Sequence, residues 1–73
     1  LSALTSLHFD PVWKVRSEVF EAYARLVERG VIPAAQADAA IGGVLITANG
    51  YLTEYEIRRH RNEAVRRVRR QEA

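Results

Sequence analysis

Cysteine is absent from this chain of 73 residues, so neither a disulfide framework nor a thiolate metal site can reinforce its core. Histidine is nearly as scarce: His8 and His60 are too few for a metal cage. There is no membrane-length apolar run either. The longest mostly apolar stretch, residues 31 to 48, is interrupted by Pro33, Gln36, Asp38, Gly42 and Gly43, which argues against membrane insertion. The chain opens on Leu1 without a basic n-region or a cleavage-like pattern, which is unlike a signal peptide and suits a piece of a longer protein. The familiar catalytic signatures are missing as well: no G-x-S-x-G, no phosphate loop, no H-E-x-x-H and no nucleotide-binding glycine pattern. The expectation is a non-catalytic protein without a cofactor, located inside the cell.

Acidic residues are sparse where arginine is densest. The net charge of +2 conceals a division: residues 1 to 56 carry four basic against seven acidic side chains, net −3, and residues 57 to 73 carry seven arginines against Glu63 and Glu72, net +5. The basic character belongs to the tail.

What is present reads as helix. A chain this short buries only about 60% of its unfolded surface and supports at most one domain, spanning residues 1–73. Leu1, Leu4, Leu7 and His8 fall at helical spacings, as in the last turns of an amphipathic helix. Asp10 followed by Pro11 predicts an N-cap and a first helical residue. From there Trp13, Val15, Val19, Tyr23 and Leu26 line a wide apolar face, with Trp13 at its edge, until Gly30 closes the helix as a left-handed residue.

The third segment admits two readings. Pro33, the alanines and the terminal Asn49-Gly50 suit a helix over residues 34–48, whereas Asn-Gly between strand-like runs signals a hairpin. The helix is adopted, because two strands without a third are marginal in water. The Gly42-Gly43 pair marks a kink or a close contact within it. A T-x-x-E capping box, Thr53 to Glu56, then starts a last helix that runs to about Arg70.

Arg16 is the anomaly. With Val15 at 0° it falls at about 100°, between Tyr23 and Val27 and far from the other charged residues of its helix. A buried arginine needs a carboxylate or several carbonyls, and Asp10 is the nearest acid in sequence. The alternative is an arginine whose stem lies on the apolar face while its head stays in water.

D-P-x-x-x-V-R, residues 10 to 16, with Val19, Ala22 and Tyr23 following, resembles the turn and second helix of a HEAT repeat. The resemblance covers Leu1 to about Gly30. It implies that Asp10 caps the helix, that Arg16 bonds along the stack to turns of adjacent repeats, and that the chain packs on preceding repeats or associates with itself. Tyr23 stands where that family usually has a smaller residue. A second likeness, of residues 42–53 to the first hairpin of bacterial trypsin-like proteases, fails: Glu54, Tyr55 and Glu56 occupy the positions where a histidine should follow.

On the last helix, with Ile57, Ala64, Val65 and Val68 as the apolar stripe, Arg58, Arg59, Asn62, Arg66, Arg69 and Arg70 share one face with no acid among them. Arginine makes bidentate bonds to carboxylate and phosphate, so this face predicts an acidic protein surface as partner, or nucleic acid. Pairs at i, i+4 (Glu54 to Arg58, Arg59 to Glu63, Glu63 to Arg67) would neutralise part of it. The expected molecule is therefore an all-α domain of three to four antiparallel helices. It comprises a HEAT-like helical hairpin plus a basic C-terminal helix, and acts as an interaction module.

Overall fold

A computed structural model describes residues 2–72. Among them there are four helices and no strand: α1 (Ser2–Thr5), α2 (Trp13–Glu28), α3 (Ala34–Gly42) and α4 (Tyr51–Arg70). The α1 turn places Leu4 and Leu7 against the core and buries His8; Leu1 lies outside the described residues.

The start of α2 corrects the expectation for Asp10 and Pro11. The Asp10 carboxylate accepts a hydrogen bond from the Val12 N–H at 2.8 Å, closing a turn ahead of the helix instead of capping it. Val12 is the extended N-cap residue, and its carbonyl accepts from Val15 and Arg16 to begin the ladder. At the other end the expectation is met. Gly30 has φ +74°, its N–H bonds to the Val27 carbonyl, and Val31 N–H bonds to the Leu26 carbonyl, which together form a Schellman closure.

The buried arc of α2 is displaced from the one expected. Val19 and Tyr23 are buried as anticipated, together with Phe20, Ala24 and Val27, but Val15, Leu26 and Trp13 are only half-buried. Advancing 100° per residue from Val15, the buried residues centre near about 120°. Arg16 therefore sits at the middle of the core-facing arc, and Val15 and Leu26 at its margin.

Helix α3 begins at Ala34, after Pro33 has set an extended N-cap, and stops at Gly42, six residues short of Ala48. The cause is tertiary. After the glycine pair, Leu45 donates its N–H to the His8 carbonyl (3.0 Å) and gives its own carbonyl to Arg16 (2.8 Å), so both backbone groups are taken out of a helical ladder. Gly43 makes the approach to His8 close: a Cβ there would lie 3.5 Å from the His8 ring nitrogen Nδ1.

Helix α4 starts two residues before Thr53, so the capping box does not form. Gly50, at φ +100°, turns the chain into the helix and its carbonyl accepts the first ladder bond from Glu54. Glu56 instead accepts a hydrogen bond from Arg59 at 2.8 Å. The C-terminus at Arg70 agrees with the expectation.

Consecutive helices α2, α3 and α4 alternate in direction. Ser17 and His60 lie together, as do Glu21, Glu28 and Arg67 further along, so α4 runs parallel to α2, while α3 returns between the ends to bring Gly43 beside His8. The core is formed by Val19, Phe20, Tyr23, Ala24 and Val27 of α2, Ala37 and Ile41 of α3, and Ile57, Ala64 and Val68 of α4, with Ile32 and Val44 from the connections. His8 Nε2 and the Tyr23 hydroxyl meet at 2.8 Å inside it, which gives the buried phenol a polar partner. Among the described residues no helix is long and apolar enough to cross a membrane.

Candidate functional site: the outer face of α4

The apolar stripe of α4 points inward, with Ile57, Ala64 and Val68 fully or nearly fully buried. That fixes the opposite face outward. His60 lies beside Trp13 and Ser17, so the first two turns of α4 extend past the start of α2. Tyr51, Leu52 and Tyr55 on those turns are 83%, 76% and 59% exposed, well beyond what a helix docked on both sides would leave.

Arg58, Arg59, Asn62, Arg66, Arg69 and Arg70 are all exposed. They are not equivalent. Arg59 is committed to Glu56, and this bond both raises the Arg59 pKa and lowers that of Glu56. Arg69 approaches Asp38 of α3 at 3.9 Å. Arg70 adds its field to Glu28. Asn62 accepts a long 3.4 Å bond from Arg61. Arg58, Arg66 and Arg70 take part in no ion pair among the described residues.

The expected i, i+4 pairs along α4 do not form. Arg67 turns inward instead, away from Glu63, and clamps α4 to α2. Its Nε and Nη2 hold both oxygens of Glu28 and its Nη1 reaches Glu21 at 2.6 Å. Hydrogen bonds to Glu28 and then Glu21 raise the Arg67 pKa above its already high ordinary value, and the Arg67 bond lowers that of Glu28. One of the seven tail arginines is thus structural, a division that helical periodicity could not show, since Glu21 and Glu28 lie on another helix.

Tyr51, Tyr55, Arg58, Asn62 and Arg66 follow one another at steps of three or four residues and form a continuous row. Two shallow depressions of about 160 and 280 Å³ meet along it at Tyr55 and Arg58. Sequence reasoning isolated the arginines and missed the tyrosines. The signal was their spacing from Arg58, obscured because the helix was expected to begin only after Thr53. Among the described residues no cluster of His, Asp or Glu is arranged to hold a metal.

No protein-family model, curated protein or solved structure matches this chain.

Proposed function

We propose that the chain is a protein-interaction module, a HEAT-like helical scaffold or adaptor unit, that docks an acidic partner on the outer face of α4. One observation carries this reading: the exposed row Tyr51, Tyr55, Arg58, Asn62, Arg66, in which Arg58 and Arg66, neither of them in an ion pair among the described residues, share one face of α4 with solvent-exposed tyrosines. Tyrosine and arginine dominate the energetics of protein interfaces, because each combines a large contact area with a directional polar group. Arg58 and Arg66 can take carboxylates without first breaking an internal pair. The repeat-like part of the proposal draws on the burial of Arg16, which is 3% exposed and bonded to a backbone carbonyl in the connection after α3.

Nucleic acid is the second reading, since exposed tyrosines beside arginines can also stack bases. The −3 charge of residues 1–56 disfavours a long phosphate backbone extending beyond α4. The test titrates the chain with a glutamate-rich helical peptide, and with single-stranded and duplex DNA, over a salt series. The protein-docking reading expects the peptide to bind more tightly than either nucleic acid, and at least tenfold weaker peptide binding in the R58E/R66E double variant. Tighter DNA binding with a steep negative log–log salt slope favours the second reading instead. Peptide binding that survives the double reversal refutes the docking face.

A further inference from the structure

We propose that Arg16 forms the floor of a second binding site, separate from the α4 face, that takes a small organic monocarboxylate. Arg16 is almost completely enclosed, yet among the described residues no carboxylate lies within 4.0 Å of it to form an ion pair. Its Nη1 donates to the Leu45 carbonyl, while its Nε has no partner at all. A guanidinium held in the interior with one neutral acceptor is an incompletely compensated charge, which is costly unless a counter-ion arrives.

Beside it opens a cleft of about 330 Å³, lined by Asp10, Pro11, Arg16, Leu45, Thr47, Ala48 and Asn49. That volume is at the lower end for small-molecule sites, roughly 300 to 1,000 Å³. The lining selects among anions. Pro11, Leu45 and Ala48 offer hydrocarbon to an apolar body, and Thr47 and Asn49 offer a hydroxyl and a carboxamide to the oxygens. Asp10, with one oxygen already engaged by the Val12 N–H, faces the same space and opposes a second negative charge. A planar monoanion with a short apolar tail meets these terms, whereas a phosphate dianion does not. The pairing with Arg16 would be a charge-assisted bond, stronger than one between neutral groups.

The experiment uses hexanoate as the probe, with 1-hexanol and inorganic phosphate as comparisons, and follows ¹⁵N-resolved spectra of the whole chain. The site predicts saturable hexanoate shifts in the Arg16 Nε–H signal and in the amides of Leu45, Thr47 and Asn49. Hexanol should leave these signals in place, and phosphate should need at least tenfold higher concentration. Because R16Q could unfold the chain, T47E supplies the second variant: Thr47 is exposed, and a carboxylate there should weaken hexanoate at least tenfold. The R58E/R66E variant should bind hexanoate normally, which separates this site from the α4 face. Shifts confined to α4, no saturable shift, or equal affinity in T47E would each overturn the proposal.

Discussion

At the scale of single residues, the interior combines ordinary apolar packing with a few polar contacts whose loss should be measurable. Ile57 is fully buried at the start of the α4 stripe, and Ile57→Ala should cost about 2–5 kcal/mol in chemical denaturation, against about 1–3 kcal/mol for Val19→Ala. Tyr23→Phe keeps the ring and removes the partner of the His8 imidazole; stranding that buried nitrogen should cost about 1–3 kcal/mol. The Glu28–Arg67 bond makes stability depend on pH. The folded Glu28 carboxyl is held below its ordinary value of 4.5, so the contribution is complete above that value and is lost as the pH falls through the lowered folded pKa. Urea midpoints measured from pH 7 to pH 3 should therefore decline in acid, and Arg67→Gln should lower the neutral-pH midpoint while making the acid decline shallower.

At the scale of elements, glycine marks both ends of the stretch that departs most from expectation. Gly42 is the last residue of α3, its φ is not positive, and a Cβ there meets nothing within 4 Å. Gly42→Ala should therefore raise stability by about 0.4–1 kcal/mol, by restricting the unfolded chain. A Cβ at Gly50 would meet only Thr53 Oγ1, at an ordinary contact distance of 3.9 Å, but Gly50 has φ +100°, so Gly50→Ala should lower stability by about 1 kcal/mol or more, with the loss appearing as fraying of the first turn of α4 in amide exchange. Opposite signs for the two alanine substitutions would show that the break between α3 and α4 depends on backbone conformation at Gly50 and does not require glycine at position 42.

At the scale of the whole molecule, alternating helix directions place the α4 stripe against α2 and α3 and leave the opposite face of α4 free. The principal extents are 36 × 23 × 15 Å. Measured between Cα atoms, the shortest matches two helix layers, one interaxial distance of about 8–10 Å plus the Cα radius of about 2.3 Å on either side, so each long helix keeps a solvent face. Reversal of Arg58 and Arg66 should accordingly leave the helical circular dichroism intact, since exposed substitutions of this kind shift stability by about 0.5 kcal/mol or less each. Reversal at Arg67 should behave differently: it places like charges against Glu21 and Glu28, and the α2–α4 contact should loosen. Comparing the two reversals by denaturation and by peptide titration separates the arginines proposed to dock a partner from the clamping one.

Local patterning in the sequence determined the helical class, the Gly30 closure, the inward stripe of α4 and the outward arginines, because each depends on periodicity or on the conformational preference of one residue. Arg16 was recognisable as an anomaly for the same reason: 100° per residue places it among apolar neighbours whatever surrounds the helix. Its bonding partner was decided only by tertiary structure. The Leu45 carbonyl lies 29 residues away, in the connection that follows the early end of α3 at Gly42. The early end of α3, the placement of Arg67 between two acids of α2, and the alignment of Tyr51 and Tyr55 with Arg58 depend likewise on where neighbouring elements come to rest. A side chain's local period gives the direction in which it points; the group it meets there is supplied by another part of the chain.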